Sequence, residues 1–164
     1  ALTLPEGIHN LDVEGGDPAK LSATGGLILR ATGFGGLRRW FEASGKKTRE
    51  GIDPVLSLSG EFAPLRNLGG GVRGIWEGTL VPDSKGSYHL GVRASGPVTL
   101  TVGKLGKVEA VPHESKEGEF SLPGPVPVRV EVNFETGQGH FLEFFWQKPD
   151  GSRGPVPEEN LKPY

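Results

Sequence analysis

The chain has 164 residues, among them 27 glycines and 14 prolines, and its formal net charge is -2 from 18 basic and 20 acidic side chains. It contains no cysteine, which excludes a disulfide framework and a thiolate metal centre. Charge this balanced leaves no basic stripe of the kind nucleic acid requires; the densest basic stretch, Lys46-Lys47-Thr48-Arg49, runs straight into Glu50.

The length is that of about one domain. The glycines and prolines are not clustered but fall between short apolar runs, the layout of turns in an all-β protein rather than of disorder. Residues 8–13 and 27–31 read as short strands, with a turn at Gly15-Gly16-Asp17-Pro18. Residues 37–41 bring Trp40 and Phe41, and the polar stretch 42–54 reads as a loop. Val55, Leu56 and Leu58 suggest a short strand ending at Gly60.

Residues 67–71 form a glycine-rich loop before the Trp76 strand. Residues 73–93 read as two antiparallel strands joined by a Pro82-Asp83-Ser84-Lys85-Gly86 turn, with Tyr88, Leu90 and Val92 alternating against Ser87, His89 and Gly91. Val98, Leu100 and Val102 mark a half-buried strand, and residues 103–119 a weaker meander. The cleanest strand is Val126, Val128, Val130, Val132 and Phe134, set against Pro127, Arg129, Glu131 and Asn133. Pro127 has no N–H, so that strand begins at an edge or with its first donor position facing out. Residues 135–139 read as a hairpin loop and 140–146 as its return strand. A turn of helix fits near residues 158–161.

Motifs for chemistry are sparse. Gly69 to Gly74 satisfies G-x-G-x-x-G, but a strand follows where phosphate binding needs a helix N-terminus, so it reads as a flexible loop. His9, His89, His113 and His140 show no metal-ligand spacing. Asp12 and Glu14 share a strand face, which is usually surface, and no nucleophile elbow occurs. Trp76 and Trp146 fall on apolar faces and read as core. Trp40, beside Arg38 and Arg39, is a core plug or a sugar-stacking platform. If Leu142, Phe144 and Trp146 point inward, Phe141 and Phe145 point outward and need cover.

The pattern W-x-G-x-L-x-P-x-x-x-G-x-Y, here from Trp76 to Tyr88, resembles the PA-fourteen module, the sugar-binding and adhesive β-sandwich first described in anthrax protective antigen. Other pieces fall in the family's order. Gly36-Leu37 with Trp40-Phe41 is similar to its opening strand, and Asp53-Pro54-Val55 to the segment before its first sheet crossing. Leu142, Phe144, Trp146 and Pro149 are similar to its penultimate strand, and Val156-Pro157 with Leu161 to its close. The resemblance covers residues 36–164. Sugar-binding members hold calcium with two adjacent aspartates after the G-x-Y strand; aligned through Leu100, that position is Ser95-Gly96 here. Calcium needs six to eight oxygens, several of them charged, so no metal and no cofactor is expected.

The expected fold is therefore an all-β antiparallel β-sandwich, PA-fourteen-like, with additional N-terminal strands. Residues 1–35 are expected to be an extension packing on the sandwich, and Phe141 and Phe145 are expected to lie under it or under a neighbouring domain. The resemblance implies a non-catalytic carbohydrate-recognition or adhesion module of a larger surface or secreted protein. The alternative is a structural or protein-interaction domain appended to a carbohydrate-active enzyme. No catalytic residue is assigned. Ligand contacts are expected at one end of the sandwich, from Arg93, Ser95, Gly96, Asn133 and Gln138. The partners expected are carbohydrate and neighbouring domains, without nucleic acid. No run of 18 apolar residues is present to span a membrane. The lack of methionine even at position 1 leads to the expectation that the numbering starts inside a longer precursor or at a processed end. An extracellular, periplasmic or cell-surface location follows from the resemblance alone.

Overall fold

Period-two alternation of valine, leucine and aromatic residues with polar ones builds most of this molecule, because a strand presents successive side chains to opposite faces of its sheet. The structure, a computed structural model, describes residues 10–11, 30–31, 35–58, 71–135 and 140–164. The chain divides into two compact units, residues 1–34 and 35–164. In the first, β1 (Asn10–Leu11) pairs in parallel with β2 (Arg30–Ala31).

The second unit is an antiparallel sandwich of two sheets. Its strands are β3 (Leu37–Ala43), β4 (Lys46–Asp53), β5 (Ser57–Leu58), β6 (Val72–Leu80) and β7 (Gly86–Ala94). They continue with β8 (Val98–Val102), β9 (Gly106–Ala110), β10 (Lys116–Leu122), β11 (Val126–Phe134) and β12 (Leu142–Gln147). Two short strands close the chain, β13 (Arg153–Pro155) and β14 (Leu161–Lys162), with a 3₁₀ turn at Glu158–Asn160 before the last. One sheet runs β4-β3-β6-β11-β8-β9, with β14 on β6; the other runs β10-β7-β12-β13, with β5 on β12.

The inner faces meet in one core. Trp76 forms T-shaped pairs with Phe41 and Phe134 at ring-centroid distances of 5.8 and 6.4 Å, and Tyr88 lies against Trp146 at 5.3 Å. Around them Leu90, Val92, Leu100, Val130, Val132 and Phe144 are fully buried. Apolar surface withdrawn from water is the main term holding the two sheets together.

Three local expectations are corrected. Residues 42–54 are not a loop: β3 and β4 form a hairpin closed by Ser44 and Gly45, both at positive φ (52° and 73°), the pair of backbone conformations that matches strand twist. The strand escapes a hydrophobicity reading because it is the sheet edge, where lysines and glutamates are the usual protection against further pairing. The meander at residues 103–119 does contain strands, β9 and most of β10. Residues 73–93 are two strands, but they do not pair; β6 belongs to one sheet and β7 to the other. Likewise β12 is not the hairpin return of β11 but pairs with β7, β5 and β13. In both places alternation is satisfied equally by a hairpin and by an arch that carries the chain across the sandwich. Which one forms depends on where each apolar face finds its partner.

The first arch is tied down by side chains. The Tyr88 hydroxyl donates to the Ser84 carbonyl (2.9 Å) and accepts from the Ser84 N–H (3.3 Å). The buried Asn160 amide donates to the Val81 carbonyl and to Asp83, each at 2.8 Å, and Lys148 donates to the other Asp83 oxygen at 2.7 Å. These bonds from Lys148 and then Asn160 hold the Asp83 carboxyl below its ordinary range.

Candidate functional site

At one end of the sandwich the β7–β8 connection meets the end of β11 and the start of β12. Of the five residues singled out in the sequence, four lie there; Gln138 is outside the described residues. Ser95 and Phe141 exchange two bonds. The Ser95 N–H donates to the Phe141 carbonyl (3.0 Å), and the Phe141 N–H donates to the Ser95 hydroxyl oxygen (3.1 Å). Gly96 is buried against the other sheet's strand: a Cβ on it would stand 1.9 Å from the Asn133 carbonyl oxygen. Its missing side chain admits the protein's own backbone. The Asn133 N–H donates to the Pro97 carbonyl at 3.0 Å, while its side chain is exposed.

Arg93 lies along the outer face of β7. Its guanidinium sits 4.7 Å from the centre of the Phe141 ring, its Nε donates to the His113 carbonyl (3.3 Å), and its Nη1 is 3.7 Å from Glu143. The His113 ring is tilted against the Phe141 ring, with 5.4 Å between their centres. Phe141 is therefore half-covered by Arg93 and His113. His113 carried no sequence signal; it sits in a turn at φ 67°, and only the fold brings it to Phe141. Phe145 finds its cover differently. Its ring lies on Gly91 of β7, where a Cβ would be 2.3 Å from two ring carbons. The alternation Tyr88-His89-Leu90-Gly91 thus leaves a gap that Phe145 fills.

The outer face of the seven-stranded sheet is polar but closely paired. Arg73 bonds Glu42 (3.1 Å) and Glu131 (2.6 Å), and Arg129 bonds Glu131 (2.6 Å) and Glu77 (3.0 Å). Partial burial works to raise the Glu131 carboxyl, but the bonds from Arg73 and Arg129 outweigh it and hold it below the usual carboxylate range. Trp40 lies on this face, not in the core, yet only 7% of it is exposed. Lys47, Arg38 and Arg129 stand 4.6, 5.4 and 5.7 Å from its ring centre. It is neither core plug nor open platform, because cations occupy the ring face a sugar would need. On the inner side of the same sheet Arg39 is 3.5 Å from Asp53, which also accepts the Trp76 indole N–H at 2.7 Å. Among the described residues no group of three or more histidine, aspartate or glutamate side chains could hold a metal ion.

No protein-family model and no curated protein matches this sequence. Solved structures do match its fold. An anti-sigma factor domain-containing protein superposes with a TM-score of 0.72 over 89% of this chain at 16% identity. The match takes in 53% of that protein, so the chain spans about half its length. A PA14 sugar-binding domain from an RTX adhesin superposes with a TM-score of 0.60 at 14% identity, over 79% of this chain and 99% of that domain. The epithelial adhesin 6 A domain from Candida glabrata, solved with Galβ1-3GlcNAc, gives 0.61 at 10% identity, over 79% of this chain and 87% of that one. Likeness at such identities is a likeness of backbone, and by it this chain has the PA14-type β-sandwich fold.

Proposed function

We propose that the chain is a non-catalytic carbohydrate-recognition or adhesion module carried by a larger surface or secreted protein. The observation that supports this most is the near-complete superposition on a PA14 sugar-binding domain, 99% of which is matched. Fold alone does not fix chemistry, so the ligand has to be argued from the sites. The loop end is the first candidate, with Arg93, Ser95, Gly96, Asn133 and Gln138 as its contacts. Ser95-Gly96 offers one hydroxyl and no carboxylate, and that hydroxyl already accepts from the Phe141 N–H. Recognition here proceeds without calcium.

A glycan array probed with the chain, once with calcium and once with chelator, tests both statements. Binding to a defined set of glycans, equal in the two conditions, is the expected result, together with an unchanged melting midpoint. A ligand that binds only the folded state would raise that midpoint, so a clear calcium-dependent rise rejects the metal-free reading. Silence on every glycan rejects carbohydrate recognition.

A second reading is a structural or protein-interaction module that positions a neighbouring domain, as an appendage of a carbohydrate-active enzyme. It is favoured by the loop end itself, where Arg93, Ser95 and Gly96 are engaged by protein groups.

A further inference from the structure

The sandwich carries a concavity away from the loop end, on the outer face of the seven-stranded sheet. Its volume is about 790 Å³, within the range of small-molecule sites. The register explains why it exists. Arg38, Glu77, Arg129 and Thr101 form one straight row across β3, β6, β11 and β8, since each is the ladder partner of the next. Beyond this row the floor drops, because the next outward pair is Thr79 and Pro127. Pro127 is tolerated there for a local reason. Its carbonyl accepts from the Gly103 N–H (2.7 Å), so its nitrogen faces the same β8–β9 turn and no ladder bond is lost.

Two taller residues flank the low floor. Leu105, in the β8–β9 turn, is 48% exposed, and Tyr164 is 84% exposed. The Thr79 hydroxyl donates to the Tyr164 main-chain oxygen and fixes the tyrosine at the rim. The lining is thus divided. One side is a row of guanidinium donors alternating with a carboxylate acceptor; the other, Lys104 apart, is largely apolar, with Pro127, Leu105 and Tyr164.

We infer that this cleft holds one pyranose residue of a glycan, an inference that rests on the carbohydrate reading above. A pyranose has the same division. Its vicinal hydroxyls each donate and accept, matching Arg38, Glu77, Arg129 and Thr101, and its C–H face packs on prolyl, leucyl and aromatic surface, which fixes orientation by shape. Glu77 and Arg129 already hold each other at 3.0 Å, so the polar row is ordered before a ligand arrives and little is lost in ordering it.

The test compares the two candidate sites on glycans that bind in the array, using their methyl glycosides in solution titrations with the full chain. The Leu105→Ala/Tyr164→Ala double variant removes the apolar rim; Arg93→Ala and Gln138→Ala alter the loop end. Leu105 and Tyr164 are exposed, so the double variant is expected to melt with the parent, which is checked first. Thr101→Val, changing one hydroxyl on the cleft floor, serves as a second probe. Expected is a loss of affinity of about tenfold or more for the double variant and a smaller loss for Thr101→Val. Loss confined to the loop-end variants, or binding indifferent to all four, overturns the cleft while leaving carbohydrate recognition intact. Absence of binding to every glycan removes the carbohydrate reading itself, and the cleft assignment with it.

Discussion

Gly96 shows how a single residue's meaning changes between sequence and fold. In the sequence it stands where a carboxylate would be needed for calcium, and the lack of a Cβ reads as room for a ligand. In the fold that room is taken by the Asn133 carbonyl, 1.9 Å from where a Cβ would sit. The contact is to backbone, which cannot rotate aside. Gly96→Ala is therefore expected to destabilise the chain by about 1–3 kcal/mol, the usual range for overpacking, and to loosen the Ser95–Phe141 exchange beside it. Chemical denaturation measures this; a midpoint within error of the parent's would mean that the β7–β8 connection yields at little cost. Gly91 differs only in what fills its space, an aromatic ring rather than a carbonyl. Neither neighbour is near its glycine in sequence, so neither could be read from it.

At the scale of elements, the arch between β6 and β7 carries the clearest consequence. Five residues separate two alternating strands, and a hairpin would fit them as well. What the arch has in addition is Asp83, bonded by Lys148 and Asn160, and Tyr88, bonded twice to Ser84. The Asp83 carboxyl is held below its ordinary 3.8. A depressed folded value means that the stabilisation is fully present above the unfolded value and is lost as pH falls through the folded one. Stability should therefore decline from roughly pH 5 downward and keep declining past pH 3.8, and Asp83→Asn should show a shallower acid limb. Because Asp83 is nearly half exposed, the difference should be small and shrink in high salt. Melting curves of the two proteins between pH 3 and 6 check it; identical acid limbs would show that Asp83 does not couple the arch to protonation.

For the whole molecule, the prediction concerns residues 1–35. We propose that they are part of the fold, packing on the sandwich as an extension rather than trailing as a linker. Leu11, Val13, Leu27 and Leu29 have strand-like spacing in the sequence, and β1 and β2 pair. Deleting residues 1–33 is expected to cause aggregation or a loss of stability, at about 25 cal/mol for each Å² of apolar surface uncovered. A truncated chain that stays soluble with the parent's melting point would make the segment a linker.

Fold class was legible in the sequence because alternation and turn residues are local, and a strand needs only its own side chains to declare which face is apolar. The inward sets of β7, β8 and β11 could be named residue by residue, and Trp76 and Trp146 could be assigned to the core. The polar edge strand β4 could not be seen this way, since its pairing depends on a neighbour and a turn rather than on hydrophobicity. Nor could the two arches, because alternation is the same whichever sheet a strand joins. Ser95, Gly96 and Asn133 lie at one end of the sandwich, a placement the sequence suggested only through the strand order that a resemblance supplied. That Gly96 would be filled, that cations would cover Trp40, and that a low row at Thr79 and Pro127 would open between Leu105 and Tyr164 were decided by tertiary structure alone. Each depends on the register between strands far apart in the chain, and register is set only when the two apolar faces close on each other.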